Sequence, residues 1–319
     1  MLGHHLPGCG LLLAYGGGDL GGGPADPAGH GRSSCLLASI QENSAPPRAR
    51  RRGGPGLGYS RGCRQRGRAG PLPGPGVEGV PGLDIREGVG NEGGPAREDE
   101  WSVVPVQQKE YGGTDYALAY DAPGMGSRAA LLKARPVADH LQWWPAECDV
   151  SIRDGWFYHA DQQPKSVAQL ADIYFRPVGR NSVLLLDVPP DTDGLLPAAD
   201  VTRLREFRER VDRELPADLA RDARRSTRPG TLTVDLGRER EVDRIRLAED
   251  IRHGQRVEGF VVEAHRDGTW TEVTRAGVIG ASRILLLPAP VPARRWRVRV
   301  TASRATPGLA EFGLYRSRV

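Results

Sequence analysis

The hydrophobic pattern divides the chain into stretches of different period. After Ser166, the residues Val167, Leu170, Ala171 and Tyr174 recur at the spacing of one helical face. The sequence therefore predicts a helix that Ser166 caps and the loop RPVGRN ends. The next apolar stretch, Val183 to Val188, is continuous and closed by Pro189 and Pro190. A run this short between turn residues predicts a strand buried on both faces, the setting of a parallel sheet or barrel. A second amphipathic stretch carries Val201, Leu204, Phe207 and Val211 on one face, with Asp200 as the expected cap and Pro216 as the stop. Strand and helix alternate in the order of an α/β domain.

Beyond Pro216 the period changes to two. Six alternating segments follow: Thr231 to Leu236, Asp243 to Leu247, Val257 to Ala264, Thr269 to Thr274, Arg294 to Val300 and Leu309 to Tyr315. Gly, Pro and Asp separate them, and the alternation is plainest in RRWRVRV. Short, regularly spaced strands predict an antiparallel β-sandwich. At roughly 90 residues it is near the lower size for an independent module.

The first 80 residues read differently. They hold 21 of the 42 glycines, nine arginines and four acidic residues, and their apolar residues come in clumps such as Leu11 to Leu13. A segment of this composition is expected to be disordered, because it buries too little apolar surface to offset chain entropy. Its arginines, Arg48 to Arg52 with Arg61, Arg64, Arg66 and Arg68, fit a nucleic-acid arm in sign only. The chain has three lysines against 41 arginines. That bias points to GC-rich coding DNA, and such DNA read upstream of a true start yields the same mixture, so no nucleic-acid partner is expected. The net charge of +4 adds little. The opening MLGHHLPGCGLLLAYGGG lacks Lys and Arg and is broken by glycines, so neither a signal peptide nor a membrane span is expected. Cys9, Cys35, Cys63 and Cys148 show no CxxC spacing, so no metal site, disulfide framework or cofactor is expected.

The run with the most chemistry is WWPAECDVSIRDGWFYH, Trp143 to His159. It gathers flat aromatic faces suited to a pyranose near Glu147, one of three carboxylates in the run. Apolar neighbours disfavour a charged carboxyl and raise its pKa, as a general acid requires. PAECDVSIRDGWFYH resembles the PAExDxSIRPGWFYH segment of the α-L-fucosidases of glycoside hydrolase family 29. KSVAQLADIYFRPVGRNSVLLLDVPP, from Lys165 to Pro190, resembles the helix, VGRNS loop and LLLNxPP strand of that family. LDIREGVGNEGGPAREDEWSVVP, from Leu83 to Pro105, resembles its PDxRWxGNExGxAxxTxWS block. The tail, with RHGQRVEGFVVEAHRDGTWTEV and RRWRVRV, is similar to the discoidin-like sandwich that follows the barrel.

The resemblance covers about residues 82 to 319. It implies an α/β plus all-β protein: a disordered segment 1–80, an incomplete (β/α)8-type barrel over 81–216, and an antiparallel sandwich over 217–319. It implies a retaining hydrolase of terminal α-linked L-fucose, with a fucosylated glycan as partner. Glu147 falls on the position taken as acid/base, with Trp143, Trp156, Arg153 and His159 as substrate ligands. The nucleophile of the family, an aspartate in a WFDG-like context, has no counterpart before Leu83. Asp84, Asp99 and Glu100 belong to a later block, so activity is expected to be impaired. Asp154 stands where the family has Pro, Arg176 where Ser is common, and Asp187 where Asn is common. RRSTRPGTL replaces an expected first strand and turn, so the sandwich is expected to lack an edge piece. The family is commonly extracellular, periplasmic or lysosomal. The alternative reading is a non-catalytic carbohydrate-binding protein that uses the sandwich, with Trp270 and Trp296 as candidates.

Overall fold

The computed structural model describes residues 96–108 and 124–319, with the backbone alone of three further strands. Those three are β1 (Leu11–Gly17), β2 (Ser34–Leu37) and β4 (Thr114–Tyr116). Two of them correct the expectation of a wholly disordered head. β1 pairs in parallel with β7 (Val183–Val188), Leu11 to Leu13 standing opposite Leu184 to Leu186, and β2 pairs antiparallel with β1. An apolar clump without period gives no local signal. Its partner strand lies more than 160 residues away, and pairing at that distance cannot be read from composition.

The α/β unit is built on β6 (Glu147–Ser151), which runs parallel to β7. The sheet order is β2-β1-β7-β6. The helices α2 (Val167–Phe175) and α3 (Ala198–Glu214) pack on one face of it. That core joins Val150 and Ile152 to Leu170, Tyr174, Leu184, Leu186, Val188, Phe207 and Val211. Ser166 does cap α2: its hydroxyl accepts from Gln169 N at 3.2 Å, and Gln169 Oε1 accepts from Ser166 N at 2.8 Å. Asp200 is not a cap. Pro197 occupies that position, and Asp200 lies in the first turn of α3, buried. Nor is β7 buried on both faces. Leu184, Leu186 and Val188 are buried, whereas Val183, Leu185 and Asp187 are half-buried. An unbroken apolar run reports strand propensity, but which faces are covered depends on its neighbours in space. Among the described residues this sheet is open.

Upstream, β3 (Val103–Gln108) lies between β4 and β5 (His140–Trp143) in an antiparallel sheet of three strands. The helix α1 (Arg128–Ala134) is capped by Ser127.

The sandwich contains β8 (Arg224–Arg228), β9 (Thr231–Glu249), β10 (Val257–Arg266), β11 (Thr269–Ala276), β12 (Arg283–Ser303) and β13 (Leu309–Tyr315). The strands β9 and β12 are long, and each serves both layers. In one layer the order is β11-β10-β12-β9-β8, through pairs such as Val298 with Leu232. In the other, the early part of β12 pairs with the late part of β9, which also holds β13. The register shifts between Ala293 and Arg295, where the strands pass from one layer to the other. The sequence reading divided β9, whose polar middle has no period, and in β12 it found only Arg294 to Val300. RRSTR, expected to leave a gap, is the edge strand β8, joined to β9 through Gly230 at φ 67°.

One loop joins the two units. Asn181 has φ 66°, a conformation asparagine tolerates better than most residues. Its Nδ2 donates to Glu100 O at 2.9 Å, and its Oδ1 accepts from Ala281 N at 2.7 Å. Gly280 must be glycine, since a Cβ there would lie 2.2 Å from Asn181 Cγ.

Candidate functional site

The parallel strands β6 and β7 alternate. Cys148 and Val150, with Leu184, Leu186 and Val188, are buried. The opposite face carries Glu147, Asp149 and Ser151 on β6 and Val183, Leu185 and Asp187 on β7, paired in that order. Three carboxyl groups thus share one face beside partly covered aliphatic side chains. Asp187, the residue found where Asn is common, is pushed upward in pKa by burial, against a hydrogen bond from Ser151 that acts downward. Cys148, behind this face, is no nucleophile: burial and the charge of Glu100 push its thiol up to about 12.

The chain leaves β6 through the loop from Ile152 to Lys165 and enters α2. Two cations hold that loop. Arg153 is 3% exposed, and its Nε meets Asp200 Oδ2 at 2.9 Å. Its Nη1 donates to the carbonyls of His159 and Gln162, and its guanidinium lies 5.2 Å from the Tyr158 ring centroid. Lys165 Nζ donates to Ser151 O at 2.8 Å and to Arg153 O. Gly155 turns the tip at φ 77°. Beyond this frame Phe157 is 73% exposed, His159 is exposed and Trp156 is half-buried.

The structure does not bring the expected site residues together. Trp156 and His159 share the loop beyond the C-terminal end of β6. Glu147 is the first residue of that strand, four residues before Ser151, or about 13 Å along it. Trp143 ends β5 and is 44% exposed. Arg153 turns into the scaffold as the partner of Asp200, so its guanidinium is a loop support. The sequence carried a signal for this pair, an arginine in the motif and an acidic residue in the first turn of α3, but nothing in their spacing joined them. Of the carboxyl groups weighed as replacement nucleophiles, Asp99 accepts from Val278 N at 2.9 Å in the joint between the units. Glu100 is buried and bonded to Arg97 N and Nη1, and Asp84 lies outside the described residues. Trp296 is fully buried in the sandwich core, as the alternation of RRWRVRV favours, and so is not available as a sugar platform. Trp270 lies on the outer face under Arg297, 4.3 Å from ring centroid to guanidinium.

No group of metal-ligating side chains occurs among the described residues, and no described helix is long and apolar enough to cross a membrane.

Comparison with known proteins follows this division. Residues 220–312 match the F5/8 type C domain model. Alpha-L-fucosidase 1 of Arabidopsis thaliana is 29% identical over 270 residues, covering 74% of this chain and 50% of the plant protein. A candidate α-L-fucosidase from Bacteroides ovatus has a crystal structure that superposes with a TM-score of 0.63 at 38% identity. It covers 73% of this chain and 41% of its own length. A Ruminococcus gnavus GH29 fucosidase, solved in complex with fucose, superposes with a TM-score of 0.57 at 27% identity, over 72% of this chain and 50% of its own. The chain spans about half the length of the plant protein.

Proposed function

We propose that this chain, related over about three quarters of its length to the α-L-fucosidases of glycoside hydrolase family 29, handles terminal α-linked L-fucose at the C-terminal end of β6 and β7. On this reading the α/β unit is the later part of a (β/α) barrel. The observation that carries the proposal is the braced loop from Ile152 to Lys165, which carries Trp156, Phe157 and His159 and follows directly on the strand end where Ser151 pairs with Asp187. In such barrels chemistry sits at the carboxyl ends of the strands. The indole and phenyl faces suit the apolar side and methyl group of fucose, and the exposed imidazole of His159 suits its hydroxyls.

Retaining hydrolysis needs a carboxylic acid that protonates the leaving oxygen. It also needs a carboxylate, about 5 Å away, that attacks the anomeric carbon; water then releases the sugar. The resemblance assigns the acid to Glu147. Strand geometry favours Asp187, which stands at the loop end of the sheet and holds its proton more tightly than a solvated carboxyl. The family nucleophile has no motif counterpart in this sequence, so turnover well below that of a complete site is expected.

The test is hydrolysis of an aryl α-L-fucoside by the full chain beside E147Q and D187N. Loss in E147Q alone supports the motif assignment, and loss in D187N alone supports the geometric one. Trp156→Ala tests the loop by fucose binding. Unchanged affinity for fucose in that variant, with hydrolysis absent from the folded chain, removes the proposal and leaves the carbohydrate-binding reading of the sandwich.

A further inference from the structure

The outer face of the five-stranded sandwich layer carries an ordered array of arginines that the reading above does not use. Trp296 and Val298 of β12 point into the core, so Arg295, Arg297 and Arg299 line the opposite side. They are spaced about 6.6 Å apart along the strand. Register carries the array across the sheet. Arg295 pairs with Asp235 and that with Arg224; Arg297 with Thr233 and that with Ser226; Arg299 with Thr231 and that with Arg228. Arg224 and Arg228 therefore face Arg295 and Arg299 across one intervening strand, about 10 Å away. Arg224, Arg228, Arg295 and Arg299 are all exposed.

The carboxylates of this face are already engaged. Asp235 is held by Arg294 at 2.8 Å, and Glu272 by Arg275 at 2.6 Å. Glu263 lies between Arg297 at 2.6 Å and Arg299 at 3.4 Å. Arg295 Nη2 lies 2.9 Å from the His265 ring, a neighbour that brings no negative charge of its own. Arg224 and Arg228 have no ion-pair partner among the described residues. Between the arginine rows, Thr231 and Thr233 of β9 supply hydroxyls, and Ser226 stands within the β8 row.

We propose that this face binds a linear anionic polysaccharide, with sulfate or carboxylate groups taken by Arg224, Arg228, Arg295 and Arg299. Guanidinium forks match such oxyanions, and the hydroxyl row between them suits sugar hydroxyls. The same features weigh against nucleic acid. The face is the side of a five-stranded layer and offers no helix or separate ribbon to enter a duplex groove. Trp270 is covered by Arg297, and the His265 ring packs edge-on against it under Arg295, so neither gives a single strand a stacking platform. The proposal stands independently of the fucoside site.

The experiment is retention of the full chain on immobilised heparin over a salt gradient, beside the variant R224T/R228T/R295T/R299T. Threonine keeps strand propensity at exposed positions. The native chain is expected to be retained at physiological salt. The variant should bind far more weakly, with a slope of log affinity against log salt shallower by about 3 to 4, from about 0.9 per lost contact in the DNA analogy. A second variant, R48S/R50S/R51S/R52S, tests the arginines of the head and should change retention little. No retention of the native chain at physiological salt overturns the proposal, as does retention lost only in the head variant. Displacement by a dT oligonucleotide as readily as by free heparin overturns the commitment to a polysaccharide.

Discussion

In the sandwich, two layers close on one core in which Val234, Val262, Trp296 and Phe312 are fully buried, and long strands run through both layers. In the α/β unit, two helices cover one face of the mixed sheet, while the other face keeps Leu185 half-buried on the side that carries Glu147, Asp149 and Asp187. The outward side chains of the sandwich carry charge, part of it paired across strands as Glu263 is with Arg297. The second face of the α/β sheet mixes aliphatic and carboxyl groups in partial burial, and among them burial raises the pKa of Asp187. The contrast teaches that one alternation of in and out serves stability where both neighbours are solved by packing, and leaves room for chemistry where one is not.

The largest expected effect follows from the closed core. Trp296→Ala should cost about 3–5 kcal/mol, while Leu185→Ala on the open face should cost about 1 kcal/mol or less. Denaturant midpoints of the two variants compare them directly, and equal losses would contradict the asymmetry of packing. Next is the brace of the loop. Asp200→Ala leaves Arg153 buried without its carboxylate and should cost about 3–5 kcal/mol. In that variant limited proteolysis should cut between Ile152 and Lys165; protection equal to the native chain would show that Arg153 does not hold the loop.

A smaller loss, about 1–3 kcal/mol, is expected for Asn181→Ala, which leaves Glu100 O and Ala281 N without their side-chain partner. Here the shape of the transition matters more than its midpoint. Calorimetry should separate unfolding of the sandwich from that of the α/β unit, and a single sharp transition would deny Asn181 a coupling role.

The smallest effects are those of pH, and they have opposite signs in the two units. Burial acts upward on Asp243, but hydrogen bonds from Ser317 N and Oγ and the charges of Arg244 and Arg316 outweigh it and hold the carboxyl low. Its contribution is present above the unfolded carboxylate pKa and is lost as pH falls through the folded one. Asp187 is raised, so it binds its proton more tightly when folded. It lowers stability at neutral pH, and that penalty disappears in acid. Asp243→Asn should thus be destabilising and Asp187→Asn mildly stabilising at pH 7. Both differences should shrink toward zero as pH falls below the range of carboxyl titration. Titration of midpoints between pH 7 and 3 would falsify this if both differences carried the same sign.

Much of this architecture was legible in local pattern. The capping serine of α2, the apolar run of β7 and the alternation of RRWRVRV are settled by neighbours in sequence, and the motif run from Pro145 to His159 marked the chemistry-bearing strand and loop. The head strand β1 was not legible, because Leu11 to Leu13 finds its partner only in Leu184 to Leu186. Nor was β8, whose all-exposed RRSTR has no apolar side to announce it. The candidate site shows the same limit. Residue types in one short motif suggested one constellation, yet a strand spends about 3.3 Å per residue. Glu147 and His159 therefore stand at opposite ends of β6, and Arg153 turns away to a carboxylate 47 positions later. Sequence by itself determined which segments become helix or strand and which side chains carry charge or aromatic faces, since those depend on local sterics and period. Only tertiary structure decided which end of the sheet gathers the loop, which carboxyl groups are half-buried and which arginines align across strands, because those follow from register between segments far apart in the chain.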